Sequence, residues 1–229
     1  MRTVTHAAGR HADIHGEGRR TVLLWHGSEP EQRDALAPLA SGIAAHGLTV
    51  VVPDWRSDAD DGGRSDLLSS VRLARDTMSH AGADPDTLVV VGWSLGGTAA
   101  ASLAVHARRL GVALRAVVLL AAAGEAVDPL SGAVLPDPLP PGDAAVHVVL
   151  GRDDTVIDPG TSLALAMRLR DAGYATTVTS VGADHGGIAM TRYDAELARY
   201  VPSDAADVLM TGESVAELVA AATRGSRRR

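Results

Sequence analysis

Short, uninterrupted apolar runs alternate along this chain with longer segments of helical period, and that beat restricts the fold more than any other feature. Thr21–Trp25, Leu48–Pro53, Thr87–Gly92, Leu114–Leu120, Val146–Gly151 and Thr176–Val181 read as strands. Between them lie helix-compatible stretches: Glu31–His46 with a kink expected at Pro38, Asp66–His80, Leu95–Leu110, Ser162–Ala172 and a last one at Ala205–Ala222. In Asp66–His80 the apolar residues Leu67, Val71, Ala74 and Met78 recur at spacings of three and four, one face of a helix. Most of the strand runs are continuously apolar rather than alternating, so the sheet they form is covered on both faces. Strands separated by helices pair in parallel through right-handed crossovers. The expectation is a three-layer α/β/α domain around a mostly parallel, doubly wound sheet. The length of 229 residues suits one such unit over residues 1–223, followed by a frayed basic tail, 224–229. One stretch breaks the beat: Gly124–Gly142 holds five prolines and no period, which marks a functional loop or a reduced cover over a site.

Composition narrows the function classes. The chain has no Phe, three Tyr and three Trp, so its core is built mainly from Ala, Val and Leu, and a large aromatic is a candidate pocket wall. Net charge is −7 and no basic stripe with interleaved aromatics occurs inside the domain, which argues against nucleic acid as a partner. The absence of cysteine removes disulfides, thiolate metal sites and a cysteine nucleophile. Met1–Arg20 is polar and lacks the apolar stretch of a signal peptide, and no run approaches the length of a membrane span. A cytoplasmic protein with no membrane partner is expected.

The most informative motif is Gly92-Trp93-Ser94-Leu95-Gly96-Gly97, placed where a buried strand meets an Ala-rich helix. Gly-x-Ser-x-Gly in that context lets the chain turn sharply, exposes the serine hydroxyl and sets the following N–H groups at a helix N-terminus, where negative charge is favoured. The alternative is a serine that only caps the helix. A serine hydroxyl is a weak nucleophile near neutral pH and needs a positioned base, which itself needs an orienting carboxylate. In an open parallel sheet both belong on loops at the carboxyl ends of strands.

Of nine histidines, two directly follow strands, His26 and His185. His185 lies in Gly182-Ala183-Asp184-His185-Gly186-Gly187, where glycines allow close approach; His147 and His106 fall inside regular elements and read as structural, while His6, His11 and His15 lie in the polar N-terminal stretch. For the acid, Val146–Gly151 leads into Asp153, Asp154 and Asp158. Asp158 precedes Pro159 and suits a helix N-cap. Spacing alone does not separate Asp153 from Asp154.

With these motifs in place the chain resembles the α/β-hydrolase family over nearly its whole length. The order Ser94, Asp154, His185 is the family's order. Gly151-Arg152-Asp153-Asp154-Thr155-Val156 is similar to the family's Gly-x-x-Asp-x-Val acid motif, which implies Asp154 rather than Asp153. Trp25-His26-Gly27-Ser28 is similar to the family's His-Gly turn, which implies an oxyanion hole made by the backbone N–H groups of Ser28 and Leu95, with His26 shaping the loop. Pro53-Asp54-Trp55-Arg56 and Gly63-Arg64-Ser65-Asp66 resemble a family loop, here split by the acidic insert Ser57–Gly62. No large helical cap is expected. The size is similar to that of the small carboxylesterase and dienelactone hydrolase branches, although the latter use a cysteine that this chain lacks.

The resemblance implies a cofactor-free, metal-free serine hydrolase that cleaves an ester or thioester through an acyl-enzyme on Ser94, with His185 as general base and acid and Asp154 orienting it. A short cover favours short acyl groups. Trp25, Trp55 and Trp93, with His26, all flank strand ends near the site and are candidates for the substrate pocket wall, with core packing an equally good reading for Trp93. The same triad would also serve an acyltransferase or a peptidase, and the same fold a non-catalytic binding module.

Overall fold

A computed structural model describes residues 1–7 and 9–224. Its central sheet has eight strands: β1 (Arg2–His6), β2 (Arg10–His15), β3 (Thr21–Trp25), β4 (Thr49–Pro53), β5 (Leu88–Trp93), β6 (Leu114–Leu120), β7 (Ala145–Gly151) and β8 (Thr176–Val181). They lie in the order β1-β2-β4-β3-β5-β6-β7-β8. From β4 to β8 every pairing is parallel, while β1–β2 and β2–β4 are antiparallel. The helices are α1 (Ala37–Ala44), α2 (Arg64–His80), α3 (Leu95–Leu110), α4 (Pro159–Asp171) and α5 (Ala206–Ala222). A small hairpin of β9 (Thr191–Asp194) and β10 (Arg199–Pro202) stands apart from the sheet.

Two apolar layers sandwich the sheet because successive strand residues point to opposite faces. One face packs Leu23, Val90 and Val117 under α2, α3 and α4, through Leu67, Leu103 and Leu165. The other packs Leu24, Val91 and Val118 under α1 and α5, through Ile43 and Val219. The expected three-layer, doubly wound architecture is therefore present.

Several local expectations are corrected. Glu31–His46 is not one kinked helix: α1 starts at Ala37 with Pro38 in its first turn, where a missing N–H costs nothing, so the proline begins the helix. The polar Met1–Arg20 stretch holds the β1–β2 hairpin. Its strands were hidden because β1 is a largely exposed edge and β2 buries polar residues, Asp13 and His15 among them. Asp13 is satisfied by the Thr3 hydroxyl at 2.6 Å and by Arg33 Nε at 3.0 Å, and Arg33 also pairs with Asp54 beyond β4. Gly124–Gly142 carries no helix or strand; Asp128, fully buried, accepts the N–H groups of Leu130 and Ser131 at 2.8 and 2.7 Å and closes a turn there. Within the basic tail, residues 225–229 lie outside the described residues.

Candidate active site

Four loops at the carboxyl edge of the parallel strands matter here: those after β3, β5, β7 and β8. Each carries one element of the candidate site.

Ser94 lies between β5 and α3 at φ 56°, ψ −124°, a left-handed conformation that a non-glycine residue adopts only where surrounding structure enforces it. The enforcement is visible on both sides. A Cβ at Gly92 would lie 2.1 Å from the Gly96 carbonyl oxygen, and one at Gly96 would lie 2.2 Å from the His26 carbonyl oxygen. Backbone therefore occupies the space any larger residue would need, which is why the motif demands glycine at both positions. The Ser94 N–H donates to the Leu120 carbonyl at 2.9 Å, so the elbow is fixed to the sheet. Ser94 and Leu95 remain partly exposed. Leu95 opens α3, so its N–H has no intrahelical acceptor. The turn after β3 runs beside the hydroxyl: a Cβ on Gly27 would lie 3.7 Å from Ser94 Oγ. The Ser28 carbonyl in that turn accepts the Ser57 hydroxyl at 2.6 Å.

Asp154 and His185 come together, both buried, with Nδ1 of the imidazole 2.8 Å from Oδ2 of the carboxylate. The other carboxylate oxygen accepts the N–H groups of Val156 and Ile157, each at 2.9 Å, which fixes its orientation. Burial pushes the Asp154 carboxyl up, but the bonds from His185 and from those N–H groups outweigh it and hold the group below its ordinary range. Of the rival carboxylates, Asp153 is exposed and Asp158 caps α4 by accepting the Gly160 N–H at 2.7 Å. The imidazole loop is pinned next to the elbow, since the Trp93 indole N–H donates to the His185 carbonyl at 2.8 Å. Neither Ser94 Oγ nor His185 Nε2 has a hydrogen bond among the described residues.

His26 has a different character. It is fully buried and stacked on Trp55, with ring centroids 5.5 Å apart. Its Nδ1 lies 3.0 Å from the Gly27 carbonyl and its Nε2 lies 3.3 Å from the Trp55 N–H. One tautomer satisfies both: Nδ1–H donates and Nε2 accepts. Burial lowers its pKa to about 4, so the ring stays neutral at neutral pH.

The expectation that Trp25, Trp55, Trp93 and His26 wall an open pocket gives way to packing, because all four are fully buried. In a core without Phe the indoles supply the bulk, and each N–H is satisfied internally: Trp25 on the Ser70 hydroxyl at 2.9 Å, Trp55 on the His26 carbonyl at 3.3 Å and Trp93 on the His185 carbonyl. An open cleft of about 380 Å³ lies instead between the insert and the proline-rich loop. Ser57, Asp60, Leu95, Val127 and Pro129 are among its walls, and the Arg64 guanidinium ties the two segments by donating to the Leu130 carbonyl.

Sequence reasoning missed the β9–β10 hairpin. The repeated Arg-Tyr pair at 192–193 and 199–200, on either side of the turn at residues 195–198, was its available signal. Tyr200 from this hairpin packs against both Trp93 and His185. Among the described residues, no group of three or more His, Asp or Glu side chains could hold a metal ion, and no helix is long and apolar enough to cross a membrane.

No protein-family model matches the sequence, and no curated protein matches it. Solved structures do. An arylesterase is 16% identical with a TM-score of 0.69, covering 96% of this chain and 84% of its own. An esterase of Pyrobaculum calidifontis is 18% identical with a TM-score of 0.69, covering 96% of this chain and 83% of its own. The esterase Est22 is 13% identical with a TM-score of 0.73, covering 98% of this chain and 80% of its own. The chain therefore has the α/β-hydrolase fold, with no large cap among the described residues.

Proposed function

We propose that the chain is a serine hydrolase that cleaves a carboxylic ester or thioester through an acyl-enzyme on Ser94. The observation that carries this reading is the buried Asp154–His185 pair at 2.8 Å, held by the Trp93 indole beside a strained serine elbow. A serine that only capped α3 would not call for an imidazole loop tied to the residue before it. The esterases among the structural neighbours support the reaction class.

In the proposed reaction Ser94 Oγ attacks the acyl carbonyl and its proton passes to His185 Nε2. Asp154 keeps the remaining proton on Nδ1 and stabilises the imidazolium. The N–H groups of Ser28 and Leu95 stabilise the tetrahedral oxyanion, at about 3 kcal/mol per donor. Collapse breaks the bond to the alcohol or thiol, which leaves with the His185 proton. Water, deprotonated by His185, then attacks the acyl-enzyme and releases the acid. The chain needs no cofactor for these steps. The cleft between the insert and the proline-rich loop opens next to Leu95, and the short cover over it favours short acyl or alcohol groups.

Incubation with a fluorophosphonate followed by intact-mass measurement tests the nucleophile. One adduct per wild-type chain and none on Ser94→Ala is the expected result. A chain that never gains the adduct, or equal labelling of the variant, removes the proposal. Faster hydrolysis of C12 than of C2–C4 p-nitrophenyl esters would remove the short-acyl reading alone.

A further inference from the structure

We infer that the sheet edge opposite Ser94 carries a second binding site, a basic cleft that takes a multiply charged small anion of the oligophosphate class. None of the residues of the proposed hydrolase site takes part. An open cleft of about 490 Å³ lies there, with Arg19, Arg20, His46 and Arg224 among its walls. Arg19 and Arg20 immediately precede β3, His46 lies just before β4, and residues 82–87, which add to the wall, lie just before β5. These three strands are adjacent and parallel, so their amino ends share one edge. Arg224 joins them from just beyond the end of α5. Strands of five residues, at about 3.3 Å each, set the cleft about 17 Å from the edge that holds Ser94.

What sets these side chains apart is their lack of partners. Elsewhere on the surface arginines pair with aspartates: Arg56 with Asp58 at 2.6 Å, Arg75 with Asp86 at 2.9 Å and Arg199 with Asp34 at 2.7 Å. Arg20, His46 and Arg224 are exposed, and their side chains make no hydrogen bond or ion pair among the described residues. A cation has one structural use here, because α1, α2 and α5 all finish at this edge and their last carbonyls carry partial negative charge. Arg19 serves it, donating to the Gly82 carbonyl beyond α2 at 2.6 Å. Arg20 and Arg224 do not. Asp84, the one carboxylate of the wall among the described residues, accepts the Asp86 N–H at 2.9 Å and pairs with no arginine there. In a chain of net charge −7 the general field repels anions, so this cleft is a local exception.

The form of the wall selects the ligand. The N–H groups of Gly47, Leu48, Gly82 and Ala83 are all spent on carbonyls of α1 and α2, so recognition falls to the guanidinium groups. Each presents paired donors that match the oxygens of a phosphate. Arg20 and Arg224 are rooted on different elements, and an anion with several charged groups can meet both where a single phosphate meets one. The volume is within the range of small-ligand sites.

Titration calorimetry of the full chain with sodium tripolyphosphate tests the site. One site per chain with a Kd below about 1 mM is expected, inorganic phosphate being at least about tenfold weaker. Raising the salt from about 0.05 to about 0.5 M should weaken the binding several-fold. Arg20→Gln/Arg224→Gln should weaken it at least about tenfold at an unchanged thermal midpoint; Arg224→Gln alone takes its place if the double variant does not fold. Arg72→Gln/Arg109→Gln removes the same charge from exposed positions on α2 and α3 and should bind like the wild type. Arg227→Gln/Arg228→Gln/Arg229→Gln should keep the binding as well. Absence of saturable binding overturns the site, and so does equal weakening in the two double variants, which would reduce it to net charge. Binding lost in the triple variant but normal in Arg20→Gln/Arg224→Gln also overturns it. Flotation with phosphatidylcholine vesicles, with and without phosphatidic acid, separates a soluble anion from a lipid headgroup: capture by phosphatidic acid without tripolyphosphate binding counts against the proposal.

Discussion

The loop after β3 and the loop after β8 each present a histidine at the same edge of the sheet, yet the two imidazoles are held in opposite ways. His26 spends both ring nitrogens on backbone groups and stacks under Trp55, with its charge suppressed by burial. His185 spends one nitrogen on Asp154 and leaves Nε2 without a hydrogen bond among the described residues. The first arrangement makes a neutral structural strut out of a titratable group. The second suits the proton carrier proposed for it, because its carboxylate partner would compensate the charge that uptake of a proton creates. Proximity to the site therefore does not separate a base from a bystander; the partners of each nitrogen do.

Exchanging the two residues' fates is the direct way to break this comparison. His185→Gln should lower kcat for p-nitrophenyl acetate by at least about 10⁵-fold while the urea midpoint moves little, since the proposed site loses its base and not its core. Asp154→Asn should cost less, about 10³-fold, by stabilising the wrong tautomer; a variant with near-normal turnover would return Asp153 to consideration. His26→Ala should instead act on the fold. It leaves the Trp55 N–H unpaired and a gap under the indole, for a loss of about 3 kcal/mol in denaturant unfolding.

Acid titration sharpens the same contrast. The unfolded chain protonates His26 near its ordinary value of 6.5, whereas the folded chain resists until about 4. The unfolded state thus binds more protons in that window, so stability is complete above about pH 6.5 and falls toward pH 4, by on the order of 3 kcal/mol. His6 and His15, also lowered by burial, act in the same direction. Unfolding free energies measured from pH 7 to 4 should show a slope that is reduced in His26→Gln; an equal slope in both would contradict the neutral strut. The smallest effect is expected from Trp55→Phe, which removes one long N–H···O bond to the His26 carbonyl and leaves a small cavity, about 2 kcal/mol together.

Much of the fold was legible because its signal is local. Valine-rich runs such as Val50–Val52 and Val89–Val91, separated by helix-length segments, can only be buried strands of a covered sheet. The serine elbow was legible for the same reason: strand, Gly-x-Ser-x-Gly and helix are contiguous. The N-terminal hairpin was not, since Asp13 and His15 are tolerated in a strand only because Arg33 and Ser41 stand opposite them in space.

The sequence by itself determined the strand–helix beat, the turn at Ser94 and the short list of carboxylates and imidazoles that follow strands. Tertiary structure alone decided which of those groups meet. It set Asp154 against His185 and left Asp153 in solvent, turned the tryptophans inward and brought Tyr200 against the imidazole from a hairpin that the sequence reading missed. The physical reason is range: backbone periodicity and turn sterics act between near neighbours in the chain. Desolvation, hydrogen-bond partnership and ring contact depend on residues that only the closed sheet brings together.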